Sequence, residues 1–378
     1  MSQTPLKLTM IGPSGTGKSC YLYATYFRML EGVAGFNFNC VDFNQARELE
    51  DAWNAILDDG VWPAGSVEGE EYRFACKHNG KQVGEFAWLD YRGGILNEDA
   101  SEGSDLTNFL NRAVDSDAIL VCLPTDVLLT AQANDLRVQR RWSRMKNEIL
   151  RILGEVYRRN DAASLIFMIT KSDLCKSQEE GRLCVETIRT AFQQYFVGTP
   201  EYAMITATRL GRFEGESDDF QQGAEIKGVL DPHNVHLPIL LPFLARARAA
   251  KELRSKLQKE AGRLARKPFK NSVLGTVIGA CVGAGVALIM GIIAGRLEVA
   301  GVAAAVMAFI FGVSGLTLSD LCNWDSGTKK EEVKGKIKEL NEFLNVPTDA
   351  IWRELAGRVE LYYQGKRVLS ADGKARKA

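Results

Sequence analysis

Near the start of the chain, Gly12-Pro13-Ser14-Gly15-Thr16-Gly17-Lys18-Ser19 has the types and spacing of a phosphate-binding loop, G-x-x-x-x-G-K-[ST]. Glycines let successive backbone N–H groups turn inward around phosphate oxygens. Lys18 has the reach and charge to meet the β- and γ-phosphates, and the Ser19 hydroxyl can ligate Mg²⁺. An apolar run, Leu6–Ile11, precedes the loop and a helical pattern follows it. The N-terminal end of that helix, with Cys20 in its first turn, points its positive dipole at the phosphates.

Two further segments carry chemistry in the order such a site needs. In Phe86-Ala-Trp-Leu-Asp90-Tyr-Arg-Gly93-Gly94, Asp90 ends an apolar run and can hold Mg²⁺ through water. Gly93, three residues on, can offer its backbone N–H to a γ-phosphate, so that hydrolysis would release the segment. In Thr170-Lys171-Ser172-Asp173, the Asp173 carboxylate can accept from the N1–H and 2-amino group of guanine, a donor pair that adenine lacks. The Lys171 stem can lie over the base. A third segment, Thr206-Ala207-Thr208, can present backbone N–H groups to the guanine O6.

Together GPSGTGKS, DYRG, TKSD and TAT resemble the Ras-like, translation-factor-related class of P-loop GTPases over roughly residues 5–255. Gly60-Val-Trp-Pro-Ala-Gly-Ser66 and Asn234-Val-His-Leu-Pro238 look more specifically like the bacterial double-GTPase-like families associated with conflict and antiviral defence. The resemblance implies GTP as substrate, Mg²⁺ as cofactor and a GDP/GTP switch. It implies Lys18, Asp90 and Gly93 as catalytic residues. Ser19, Asp90 and Ser66 would be the metal set, Ser66 standing in for a switch threonine, since no Thr occurs between Thr25 and Thr107. The family often carries Gln after D-x-x-G to orient the attacking water; Gly94 stands there. Hydrolysis is therefore expected to be slow or partner-dependent. The rival readings are a non-hydrolysing nucleotide-binding scaffold, a GTP-triggered membrane-perturbing effector, and an ATPase or kinase.

The elements that would position these residues read as α/β. Strands are predicted at Leu6–Ile11, Tyr72–Cys76, Glu85–Leu89, Ala118–Leu123, Leu165–Ile169 and Ala203–Thr206, with helices at 18–31, 43–59, 105–115, 134–159 and 178–195. Asn79-Gly80 marks a hairpin between the second and third strands. The expected fold is a mostly parallel six-stranded GTPase sheet with one antiparallel edge strand over residues 1–242. Residues 209–236 read as a long loop.

Composition then shifts. Arg246 to Lys270 holds ten Lys or Arg against two Glu, predicting a basic helix over 243–270. Val273 to Gly295 gives 23 uncharged residues and Val299 to Leu318 another 20, so a two-helix transmembrane hairpin is expected over 271–320. Residues 321–378 read as a cytoplasmic helical tail, with helices at 328–345 and 348–363. The basic run predicts a cytoplasmic GTPase domain at a membrane, in bacteria the inner one, with anionic lipid as a contact. Self-association or a partner protein acting on the switches completes the expected partners.

Lys+Arg and Asp+Glu are both 47, so no nucleic-acid partner is predicted. Eight cysteines contain no C-x-x-C pair, which argues against a zinc site or a disulfide framework. His78, His233 and His236 fit neither a metal site nor a catalytic triad, and the N-terminus lacks the pattern of a secretory signal.

Overall fold

The computed structural model describes residues 4–63, 69–91, 105–133, 135–198, 200–213, 225–265 and 346–370. Its centre is a set of strands buried on both faces. β1 (Leu6–Ile11), β5 (Ala118–Pro124) and β6 (Ser164–Thr170) are near-continuous apolar runs, and they pair in parallel, as expected where helices cover both sides of a sheet. β4 (Lys81–Asp90) and β7 (Tyr202–Ala207) extend this parallel core on either side. β3 (Glu70–His78) turns into β4 through Asn79 and Gly80, whose φ values of 49° and 78° give the left-handed pair of a tight hairpin turn.

The sheet does not stop at six strands. β2 (Phe36–Cys40) adds antiparallel to β3 at one edge. At the other edge β10 (Val359–Tyr363) adds antiparallel to β7, followed by β11 (Lys366–Leu369). The order is β11-β10-β7-β6-β5-β1-β4-β3-β2, a nine-stranded mixed sheet. A separate antiparallel pair, β8 (Arg209–Phe213) with β9 (Gly228–His233), occupies part of the stretch expected to be loop.

Alternate residues of the central strands divide the core. Ile119, Val121, Phe167 and Ile169 face α3 (Asp105–Val114), α5 (Leu136–Arg159) and α6 (Gln178–Ala191). On the opposite face lie α1 (Lys18–Glu31) and the start of α7 (Leu237–Ala265), where Tyr21 packs on Trp88 and Phe243 on Phe86. α2 (Phe43–Asp59) packs beside α1 through Phe27 and Trp53. A short α4 (Thr125–Leu129) follows β5, and α8 (Thr348–Leu355) precedes β10.

Three expectations about the fold are corrected. The sheet is nine-stranded and mixed, with antiparallel strands at both ends, rather than six-stranded with one antiparallel edge. The tail is not wholly helical: 348–363 holds α8 and then β10, because Val359-Glu-Leu-Tyr-Tyr363 is rich in strand formers and Gln364-Gly365 turns with φ of 46° and 74°. Among the described residues no helix is long and apolar enough to cross a membrane. α7, with 29 residues, is interrupted by charge throughout its second half. The expected hairpin at 271–320 and helix at 328–345 lie outside the described residues.

Contacts divide the chain into two units, Met1–Ala245 with Pro347–Ala378, and Arg246–Val346. All of the candidate site lies in the first.

Candidate nucleotide site

The loop between β1 and α1 sits at the carboxyl end of β1, flanked by β4 and β5, which is where ligands bind in open α/β sheets. Gly17 precedes α1 with φ of 87°, a conformation that costs a side-chain-bearing residue strain and that turns the chain into the helix. Gly12 is required for a different reason. A Cβ there would stand 2.8 Å from Thr16 Oγ1 and 3.1 Å from the Cys122 carbonyl oxygen. Ser14 and Gly15 are exposed at the tip of the loop, Thr16 is buried, and Cys20 is half-buried in α1. Thr16 Oγ1 donates to the Pro13 carbonyl at 2.9 Å and holds the loop closed from inside.

Lys18 is buried, yet its ammonium is not buried for packing. Nζ donates to the carbonyls of Gly12 at 2.7 Å and Pro13 at 3.0 Å, curling back over the loop. Burial pushes its pKa down, opposed by the nearby Asp90 charge. Phosphate oxygens in the loop would favour the charged form of Lys18, so the residue fits an anion there. Burial also pushes the Cys122 thiol up to about 12, which leaves it a neutral spacer beneath the loop.

Ser19 and Asp90 come from elements separated by 71 residues and meet. Ser19 Oγ donates to Asp90 Oδ2 at 3.0 Å, and Asp90 is buried at the end of β4. A hydroxyl oxygen and a buried carboxylate, both hard oxygen donors, form a donor set suited to Mg²⁺ beside bound phosphate. Ser66 and Gly93 lie outside the described residues, as does Gly94.

The segments nominated for the base lie on the other side of the loop. Thr170 ends β6, and its Oγ1 donates to the Thr16 carbonyl at 2.8 Å. Its own carbonyl accepts from Thr125 Oγ1 at 3.1 Å. The Thr170 side chain therefore joins the Thr170–Asp173 turn to the loop between β1 and α1 rather than reaching for a ligand. Lys171 then takes a left-handed φ of 53°, which starts the 3-10 turn Ser172–Leu174. Thr208 fastens this turn: its N–H donates to the Ile169 carbonyl at 2.8 Å, and its carbonyl accepts from the Ser172 N–H at 3.2 Å.

Asp173 Oδ2 is buried and has no hydrogen-bond partner. Burial raises its carboxyl pKa, against its own backbone N–H and the Arg209 and Lys171 charges. An acceptor left bare at such a cost is what a ligand with two adjacent N–H donors would satisfy. Thr206 is buried in β7 with its hydroxyl unpartnered, and the Ala207 carbonyl accepts from Asn234 Nδ2 at 3.3 Å.

Comparison with known proteins adds little. No family model matches the chain, and no curated protein matches it. Among solved structures, one match is the signal recognition particle receptor SRb-GTP/SRX complex from Chaetomium thermophilum. Its TM-score is 0.33 at 13% identity, covering 59% of this chain and 96% of that one. So distant a likeness carries no weight, and the site's own residues bear on function.

Two participants were not visible as such in the sequence. Arg209 sits close enough to Asp173 to act on its charge, and it pairs with Asp231 at 3.7 Å across β8 and β9. Asn234 braces the Ala207 carbonyl. Both belong to the stretch whose period suggested neither helix nor strand. The structure also joins that stretch to the segment before β3: Ile226 N–H donates to the Gly60 carbonyl at 2.6 Å, and Trp62 packs edge-on to Phe213 at 5.1 Å.

Proposed function

We propose that this chain binds GTP with Mg²⁺ and hydrolyses it slowly to GDP and phosphate. The observation that carries the reading is the convergence of Lys18, Ser19 and Asp90 on one side of the loop with the unpartnered Asp173 Oδ2 on the other.

The residues divide the work. Lys18 exchanges its two backbone carbonyls for phosphate oxygens and offsets charge as it develops at the γ-phosphate. Ser19 and Asp90 would hold Mg²⁺ once the Ser19 proton stops donating to Asp90. The ion, when bound, would supply positive charge against the phosphate oxygens. Asp173 accepts from the guanine edge, which fixes the nucleotide's register and selects guanine over adenine. Thr170 keeps the two halves of the site at a fixed spacing.

Gly94, at the position after D-x-x-G, has no side chain with which to orient water. This supports slow turnover, and it also favours a second reading in which GTP is bound but not cleaved.

Affinity for GTP and ATP by titration calorimetry, with and without Mg²⁺, tests binding. Phosphate release by the unmodified protein and by Lys18→Ala tests turnover. GTP should bind in preference to ATP, and the slow release should vanish in Lys18→Ala. ATP binding as tight as GTP would refute the base assignment. Tight GTP binding with no release would leave the non-hydrolysing reading standing.

A further inference from the structure

Two helices on opposite faces of the sheet carry opposite charge. α2 with its cap, Asp42 to Asp59, holds six acidic residues against the single Arg47. α5 with its cap, Asp135 to Arg159, holds eight Lys or Arg against three acidic residues. In α2 the buried positions are Leu49, Trp53 and Ile56, which turns Glu48, Asp51 and Asp58 outward. In α5 the buried positions include Trp142, Met145, Ile149 and Ile152, which turns Arg137, Arg140 and Arg144 outward in one stripe. Among the described residues no carboxylate lies within ion-pair distance of these three arginines and no cation within that distance of Glu48 or Asp58, while Asp51 meets only Arg47, at 3.7 Å.

Each charged face also begins with a large apolar side chain left in solvent. Phe43, the first residue of α2, is 81% exposed, and Leu136, the first residue of α5, is 75% exposed. Val41 at 53% and Leu57 at 48% enlarge the apolar area around α2. Apolar side chains bordered by charge of one sign are the composition of an interface with an anchor and a polar rim.

We infer that this chain associates with a second copy of itself, the α5 face of one molecule docking on the α2 face of the next. The partner is argued from charge complementarity. The surface complementary to the α5 stripe is present on the same chain, on the far side of the sheet, where one molecule cannot satisfy itself. The contact is heterologous, so association need not end at a dimer and proceeds head-to-tail unless the rotation closes a ring. Opposed charges steer the encounter and set the register, while Phe43 and Leu136 supply buried area. The inference is independent of the nucleotide reading.

Sedimentation velocity of the full chain at rising concentration, in low and moderate salt, tests it. Association should weaken by at least about tenfold between about 50 and 300 mM NaCl, because the opposed charges are exposed and screened. Arg140→Glu with Arg144→Glu should be monomeric, and so should Glu48→Arg with Asp58→Arg. These substitutions place good helix formers, Glu or Arg, at exposed positions, so circular dichroism should be unchanged. Mixed in equal amounts, the two monomeric variants should associate again, because the native α2 face of the first meets the native α5 face of the second and their reversed faces also carry opposite charge. A wild-type chain that stays monomeric at about 100 µM in low salt, or a mixture that fails to associate, would overturn the proposal. Binding of the wild type to anionic phosphatidylserine vesicles without self-association, lost in Arg140→Glu with Arg144→Glu, would overturn it in favour of a lipid surface.

Discussion

Ser19 Oγ donates to Asp90 Oδ2 at 3.0 Å, so the hydroxyl that opens α1 and the carboxylate that ends β4 share one proton between them. That contact places two oxygen atoms suited to a divalent cation side by side at the loop between β1 and α1. Ser19→Ala removes one of them and leaves the buried carboxylate in place. We expect nucleotide affinity in the presence of Mg²⁺ to fall by about tenfold or more, the range seen when one element of a metal site is lost. Affinity in EDTA should barely change. Calorimetric titrations with and without Mg²⁺ separate the two, and an equal loss in both conditions would show that Ser19 acts on the nucleotide rather than the metal.

Asp173 offers a buried acceptor with no partner of its own. Asp173→Asn replaces one acceptor with an N–H donor. GTP should weaken by about 100-fold, the scale of about 2.7 kcal/mol lost when a charged hydrogen-bond pair is broken. Xanthine carries a carbonyl where guanine carries its amino group, so XTP should gain in the variant. Competition between GTP and XTP for each protein checks this, and an unchanged preference would remove Asp173 from the base edge.

Thr170 has a different part to play. Its hydroxyl holds the Thr16 carbonyl at 2.8 Å, inside the protein. Thr170→Val keeps the shape and removes the bond, orphaning a carbonyl, at a cost of about 1–2 kcal/mol in stability. Urea unfolding of the ligand-free protein measures that cost. Loss of GTP affinity without loss of stability would instead indicate direct contact with the nucleotide.

The acid limb of stability should depend on Glu354. Its carboxylate meets His236 Nε2 at 3.2 Å and accepts from Arg358 Nη1 at 2.6 Å, fastening α8 to the start of α7. The His236 hydrogen bond foremost, and then the Arg358 charge, hold its pKa below the ordinary 4.5 against the opposing effect of burial. A carboxylate depressed in the folded state binds fewer protons there than when unfolded. Its contribution is therefore fully present above about pH 4.5 and is lost as pH falls through the lower folded value. Urea midpoints between pH 7 and 3 should fall more steeply for the wild type than for Glu354→Gln, and parallel slopes would contradict the assignment.

The sequence by itself nominated the site residues and determined the elements with a strong period. GPSGTGKS could be nominated because a phosphate loop needs glycine, lysine and serine at fixed spacing. The central strands could be read because β5 and β6 are apolar on both faces and only a doubly covered sheet tolerates that. Asn79-Gly80 stated its turn because few residues accept a left-handed φ.

Only the tertiary structure decided the rest. Val359-Glu-Leu-Tyr-Tyr363 is short enough to read as the end of a helix, and it became a strand because the edge of β7 was there to pair with it. β8 and β9 are held by each other and by the segment before β3, contacts between residues far apart in the chain that no local pattern records. The sequence could nominate Ser19 and Asp90 separately. Their meeting, and the bond from Thr170 to Thr16 that spaces the two halves of the site, depend on strand order, which is fixed by long-range pairing and not by neighbours in sequence.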